Sequence, residues 1–182
     1  MMSRFIYFSL IPYLLCADGL KDIYNLYQAG KYKQACNKGL RLFDKYRKNS
    51  DFLMLYGFSC LKADYINRVA IPMIGLRKSK TARANASYFA TVFLQKKLLL
   101  HALLDHTDIS QLKLPVTDHI ISKVFQLYVE KKYRKKDNIY IFQDPKDSEI
   151  RYHLYTSKKY DIPIIVIEER KSKQLIKTHR YW

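Results

Sequence analysis

The spacing of apolar residues changes along the chain from a helical to a strand-like period at about residue 138. Before that point, apolar residues recur every three or four positions, as they do on one face of a helix. The pattern predicts six helices, over residues about 20–30, 32–46, 52–62, 66–76, 84–104 and 119–132. Pro72 lies inside the fourth of these segments and predicts a kink or a break in that helix.

From Asn138 onwards, short alternating segments rich in tyrosine and β-branched residues predict three or four strands. The segments are NIYIF, IRYHLYT, PIIVIEE and QLIKTHRYW, and the turn-like stretches DPKD, SKKYD and RKSK separate them. Short turns predict an antiparallel meander, and a meander this small needs to pack one face against the last helices. The predicted class is therefore α+β, with a helical domain over 18–134 and a small β module over 138–182.

A shift of 34 residues places the second pair of predicted helices on the first pair. The turn at Gly30 then falls on Asp64. Apolar or small residues coincide at five positions: Leu26 with Cys60, Tyr32 with Ile66, Ala35 with Val69, Gly39 with Met73, and Leu42 with Leu76. This period, the turn GKYKQA with its small residue Ala35, and Gly57 within a first helix resemble the tetratricopeptide repeat over residues about 20–80. The tryptophan-like start and the closing proline of that repeat are absent.

The resemblance implies a short superhelix of hairpins, with the long fifth helix as its cap. In such repeats the first helix of each unit faces the concave side, where apolar and aromatic residues bind a peptide or helix. The candidate residues for this partner-binding groove are Tyr24, Tyr27, Met54, Phe58 and Leu61. In the alternative interpretation, the fifth helix and the β module fill the groove.

The first 17 residues have the order of a secretory signal, with Arg4, an apolar run over 5–15 and a small residue at Ala17. The run is shorter than the roughly 20 residues that a transmembrane helix needs. We therefore expect cleavage after Ala17, a mature chain without a transmembrane helix, and a periplasmic location. A lipoprotein anchored at Cys16 and a buried first helix are the alternatives.

Export would bring Cys36 and Cys60 into an oxidising compartment, where a pair of cysteines can form a disulfide. The repeat resemblance implies that the two residues lie on adjacent helices. A bond between them would close a loop of about 25 residues and stabilise the fold by about 3 kcal/mol. The alternative is a pair of buried free thiols, since free cysteine packs like a small apolar residue.

The chain is strongly basic, with 33 lysines and arginines against 16 acidic residues and a formal net charge of +17. This balance favours an anionic partner, although dispersed lysines also serve simply to keep a surface soluble. Export disfavours nucleic acid as that partner. The densest cluster, KKYRKK, offers these polyanion-binding candidates: Lys131, Lys132, Arg134, Lys135 and Lys136. Alternatively, these charges mark a helix C-terminus, whose dipole they complement, and a solvated linker.

No motif in the sequence commits the chain to a reaction. His101 and His106 are five residues apart and so lack the spacing of a helical metal pair, and no phosphate loop or Cys-x-x-Cys pair occurs. We predict no catalytic residue, metal or cofactor. The expected function is an exported scaffold or protein–protein interaction protein without catalysis. The alternative is a basic surface that binds a membrane or glycan polyanion of the envelope, and an enzyme with a site invisible in the sequence is a third class.

Overall fold

The computed structural model describes residues 18–182, and the predicted signal segment 1–17 lies outside them. Within the described residues the chain forms helices first and then a sheet. The helices are α1 (Asp18–Gln28), α2 (Tyr32–Tyr46), α3 (Ser50–Lys62), α4 (Ala70–Gly75), α5 (Lys80–Asp105) and α6 (Ile120–Val129). The strands are β1 (Arg134–Lys136), β2 (Ile139–Gln143), β3 (Ile150–Lys159), β4 (Ile162–Lys171) and β5 (Gln174–Tyr181). The predicted α+β class is confirmed.

The two helical hairpins, α1–α2 and α3–α4, end their first helices in the same way. Gly30 after α1 and Asp64 after α3 both adopt a left-handed conformation, with φ of 70° and 63°. The same pair of backbone hydrogen bonds closes each turn, from N–H to C=O: Gly30 to Tyr27, Lys31 to Leu26, Asp64 to Leu61, and Tyr65 to Cys60. Each pair is a Schellman cap, which satisfies the last carbonyls of the helix. The 34-residue period of the sequence is therefore also a period of the backbone.

The second helix of the second hairpin is interrupted. A 3₁₀ turn, Ile66–Val69, comes before α4, which is only six residues long. Pro72 lies in the first turn of α4, where the backbone N–H groups have no helical partner and the N–H that proline lacks is not needed. The break that Pro72 predicts is thus a change from 3₁₀ to α geometry just before it.

The sheet is a meander in the order β1-β2-β3-β4-β5, and every neighbouring pair is antiparallel. It has five strands where the sequence predicts three or four. The additional strand, β1, lies in the segment interpreted as a helix end and linker, and it pairs with β2 so that Lys135 lies opposite Tyr140. The sheet therefore begins at Arg134 and not at 138, because a short turn after α6 leads directly into a hairpin.

A hydrophobic core extends from the helices into the sheet. It includes Phe89 and Leu99 of α5, Phe125 of α6, Leu154 of β3 and Ile165 of β4, all of them buried. The inner face of the sheet thus packs on α5 and α6, as expected for a meander too small to stand alone. Within residues 18–182, no helix has both the length and the apolar content needed to cross a bilayer.

A disulfide between Cys36 and Cys60 joins α2 to α3, with a Cα–Cα distance of 4.8 Å. Both cysteines are fully buried. Arg68, in the 3₁₀ turn of the second hairpin, donates a hydrogen bond of 2.7 Å to the Asn37 side chain of the first. The disulfide and the Arg68–Asn37 hydrogen bond therefore connect the two hairpins at the same place.

Candidate anion-binding surface

The predicted partner-binding groove is not an open surface in the structure. Met54 and Leu61 are only 8 % and 3 % exposed, so these two candidates are corrected to core residues. Tyr24, Tyr27 and Phe58 are partly buried and pack against the core. None of the five therefore projects freely towards a partner.

The long helix α5 covers this face of the hairpins. The ring of Phe89 lies edge-on to the ring of Phe58, with 5.0 Å between the centroids. Gly57 allows the close approach, because a Cβ at this position would lie 2.3 Å from the Phe89 ring. The Asn85 side chain reaches the Met54 sulfur at 2.9 Å. Helix α5 thus fills the groove, as the alternative interpretation of the sequence anticipates.

The five basic candidates form one exposed surface, the basic segment (residues 131–136). Lys131 has a φ of 55° and closes α6 with the Schellman pattern that also closes α1 and α3. Lys132 forms an exposed ion pair of 2.7 Å with Glu130, a type of contact that contributes little to stability. The remaining three, Arg134, Lys135 and Lys136, are the residues of β1 and are all exposed.

Three tyrosines pack together at the basic segment, with Tyr133 inside it and Tyr128 and Tyr140 beneath it. Tyr133 stacks on Tyr128, with ring centroids 5.5 Å apart, and meets Tyr140 edge-on at 5.0 Å. The Nζ atom of Lys135 lies 5.0 Å from the Tyr140 ring centroid, within the range of a cation–π contact. Tyr133 was noted in the sequence as part of the basic cluster. Tyr140 was missed because its position under Lys135 depends on the β1–β2 pairing, which the sequence did not predict.

A cleft of about 250 Å³ lies beside these tyrosines, between the end of α5 and the end of α6. Burial, followed by the contact with Tyr140, raises the pKa of Tyr128, so its hydroxyl stays protonated at neutral pH. Lys131 also borders the cleft. Hydrogen bonds from Ser110 lower the pKa of Asp108, which also lines the cleft and stays ionised. The cleft is mixed in charge, whereas the basic segment is almost entirely cationic.

A buried histidine connects the second hairpin to the sheet. The two ring nitrogens of His179 lie 2.8 Å from Asp64 Oδ1 and 2.8 Å from Glu169 Oε1. Because both partners are carboxylates, both nitrogens donate and the ring is an imidazolium. Burial lowers the pKa of His179, but the hydrogen bonds to Asp64 and Glu169 outweigh burial and raise it overall.

A second histidine beside this group is neutral. Burial lowers the pKa of His119 to about 4, more than the charge of Asp64 raises it. Its Nδ1 accepts a hydrogen bond from the backbone N–H of Ile121 and caps α6. Since His179 is closed off from solvent, the geometry assigns these histidines to structure. Within the described part of the chain, no three His, Cys, Asp or Glu side chains are grouped so that they could hold a metal ion.

Comparison of the chain with protein-family models, with curated proteins and with solved structures gives no match. The tetratricopeptide resemblance therefore stays a prediction, carried by the 34-residue period and the repeated helix caps.

Proposed function

We propose that the protein is an exported binding protein without catalysis, which holds an anionic component of the cell envelope on its basic segment. The observation that carries the proposal is the exposure of five cationic side chains around a short edge strand. Few acidic residues neutralise these side chains. Lys132 pairs with Glu130, and the other four form no ion pair within residues 18–182.

The tyrosines give the basic segment a fixed base. Packing among Tyr128, Tyr133 and Tyr140 holds the backbone of β1 against the core. The lysine and arginine side chains above it are exposed and can meet phosphate, sulfate or carboxylate groups. This arrangement suits a repeating or two-dimensional array of anions better than one small ligand of fixed shape.

Export is part of the proposal, and two observations support it. The Cys36–Cys60 disulfide suits an oxidising compartment better than the cytoplasm. The order of charge, apolar run and small residue in 1–17 is that of a secretory signal. Both observations support the proposed periplasmic location, and mass spectrometry of the native protein would reveal whether 1–17 are removed.

The binding test uses a soluble polyanion, heparin, and a variant in which Lys131, Lys132, Lys135 and Lys136 are changed to Gln. We expect the affinity of the wild type to fall steeply as salt rises, because exposed charges are screened. At low salt the variant should bind about 600-fold more weakly, at about fivefold for each of the four lysines, since each lysine near an anionic surface contributes about 1 kcal/mol.

A matched control removes the same charge from the helical part. Lys21, Lys33, Lys45 and Lys48 are exposed on or beside α1 and α2, and changing all four to Gln lowers the net charge equally. This variant should retain most of the affinity. If the two variants lose affinity to the same extent, the attraction comes from net charge alone and the basic segment is not the site.

A scaffold role is the second candidate, as expected from the repeat resemblance. It is supported by the repeated caps of the two hairpins and by the exposed Ile71 and Ile74 on α4. The test is a crosslinked pull-down from envelope extract with the wild type and with the Ile71→Ser, Ile74→Ser variant. A specific protein captured in high salt by the wild type and lost in the variant would favour the scaffold role over polyanion binding.

A further inference from the structure

The strand register gathers several exposed segments at one end of the sheet. Lys136 pairs with Ile139 across the β1–β2 turn, and Lys159 pairs with Ile162 across the β3–β4 turn. In a meander, these two turns lie at the same end. The chain also ends there, since Tyr181 pairs with Ile165 near the start of β4 and Trp182 follows it. We name this region the turn end of the sheet.

Large apolar side chains project into solvent at the turn end. Tyr160 is 88 % exposed, Ile162 is 59 % exposed and Trp182 is 42 % exposed. Tyr160 and Asp161 form the two-residue turn with φ of 50° and 59°. Asn and Gly are the residues that such a turn normally takes, so turn geometry does not explain a tyrosine at this position.

Lysines lie at the same end of the sheet. Lys158 and Lys159 of β3 directly precede the Tyr160 turn, and Lys135 and Lys136 lie on β1, two strands away from β3, all of them exposed. The Nζ atom of Lys159 lies 4.6 Å from the Trp182 ring centroid, so cation and aromatic ring are in direct contact.

We infer that the turn end docks on the surface of an anionic lipid bilayer, with Tyr160 and Ile162 entering the interfacial layer and the lysines meeting the headgroups. The inference rests on the proposed function and names its anionic partner as a lipid surface. Aromatic rings with a polar group favour the membrane–water interface, and lysines bound beside them keep their charge in water while their stems pack on apolar groups.

The apolar side chains decide between a lipid surface and a soluble polyanion. A polyanion dissolved in water offers nothing apolar to contact Ile162 or the Tyr160 ring. An anionic bilayer has charged headgroups directly above an apolar layer. The lysines can meet the headgroups while the apolar side chains of the turn reach the layer beneath them. A projecting two-residue turn also suits insertion between headgroups more than it suits a flat protein interface.

Trp182 makes the inference directly testable, because it is the one tryptophan in the chain and lies at the turn end. The experiment compares phosphatidylcholine vesicles with vesicles that also contain phosphatidylglycerol. With the anionic vesicles we expect cosedimentation, a blue shift of the Trp182 emission, and quenching by lipids brominated on the acyl chain. With neutral vesicles we expect little binding.

Two variants separate the apolar and the charged contributions. Tyr160→Ser with Ile162→Ser should weaken binding to anionic vesicles about tenfold and leave heparin binding unchanged. Lys135→Gln, Lys136→Gln and Lys158→Gln together should weaken vesicle binding about a hundredfold, at about fivefold for each lysine. The matched control is Leu94→Ser with Val116→Ser, which removes exposed apolar groups from the helical part and should bind like the wild type. Circular dichroism checks that each variant is folded.

The outcomes distinguish this inference from the proposed function. Heparin binding through the basic segment without vesicle binding would overturn the lipid inference and leave the proposed function standing. A second outcome combines two results: vesicle binding depends on Tyr160 and Ile162, and heparin binding is unchanged in the basic-segment variant. This outcome would overturn the site of the proposed function and support the lipid inference. Cosedimentation that the Tyr160→Ser, Ile162→Ser variant retains in full, or a Tyr160–Ile162 variant that loses only a protein partner in pull-downs, would contradict insertion.

Discussion

At the scale of single residues, His179 joins two distant parts of the chain through charged hydrogen bonds. It lies buried between Asp64, in the turn after α3, and Glu169 on β4, so one imidazolium holds the second hairpin to the sheet. Each hydrogen bond to a charged partner contributes about 1.5–3 kcal/mol. Asp64 adopts a left-handed conformation because it caps the end of α3. The hydrogen bond with His179 offsets the energetic cost of that conformation.

The contribution of His179 to stability should therefore fall as the pH rises above neutrality, whereas Lys96, whose pKa is lowered to about 8 by burial, acts in the opposite direction above pH 8. The pKa of His179 is raised by folding, so its contribution is fully present below about 6.5, the ordinary pKa, and is lost as the pH rises through the higher folded value. The measurement is the free energy of unfolding in urea at a series of pH values. Four other titratable groups interact electrostatically with His179 or with its carboxylate partners and so affect its titration: His119, Tyr181, Lys123 and Lys177.

The variant His179→Gln gives the control for this slope. Its stability should be lower than that of the wild type by about 3 kcal/mol at pH 6, and its decline above neutrality should be smaller. An unchanged slope would show that other groups cause the decline. His119 should act in the opposite direction, because its folded pKa of about 4 lies below the ordinary value and its contribution is lost as the pH falls from 6.5 towards 4.

At the scale of elements, the contact of α3 with α5 depends on a missing side chain. Gly57 faces Phe89 so closely that an added Cβ would overlap the ring. We expect Gly57→Ala to lower the free energy of unfolding by about 1–3 kcal/mol through overpacking, even though alanine favours the helix by up to about 1 kcal/mol. Urea unfolding measures the change. In a double-mutant cycle with Phe89→Leu, the smaller leucine side chain should relieve part of the lost stability. Strictly additive effects of the two substitutions would argue against the Gly57–Phe89 contact as the cause of the loss.

The disulfide connects α2 to α3, and its removal should act mainly through the unfolded chain. Changing both Cys36 and Cys60 to Ala should lower the stability by about 3 kcal/mol, because the closed loop constrains the unfolded state. The intact mass of the unreduced protein should be two hydrogens lower than that of the reduced protein. Reductant should destabilise the wild type but not the double variant. Equal sensitivity of both proteins would mean that this bond is absent or does not stabilise.

The helices were predictable because their apolar spacing and turn residues act locally. Gly30 and the 34-residue period indicated the hairpins, and Pro72 indicated the break near α4. Strand β1 was missed because its three basic residues carry no apolar alternation, and the pairing with β2 alone makes it a strand. Met54 and Leu61 were misplaced for a similar reason. Their burial depends on where α5 packs, and a repeat pattern of two units does not specify this.

At the scale of the whole molecule, the last residue of the chain connects the sheet to the helices. The backbone oxygen of Trp182 accepts hydrogen bonds from Lys96 of α5 and from Asn67, and the Trp182 ring lies 5.8 Å from the ring of Tyr65. Lys96 is fully buried and also donates to the Asn67 side chain at 3.1 Å. Together with the continuous core, these contacts couple the helical part to the sheet.

The helices and the sheet should therefore unfold in one cooperative transition. In urea, the Trp182 fluorescence reports the junction with the sheet and far-UV circular dichroism reports mainly the helices, so the two curves should have the same midpoint. Lys96→Met removes the buried donor while it keeps most of the side-chain volume, and it should move both curves together to lower urea. Separate midpoints in the wild type would contradict the shared core and would favour two independent domains, divided near Arg134. Separation in the variant alone would show that Lys96 is what couples the two parts.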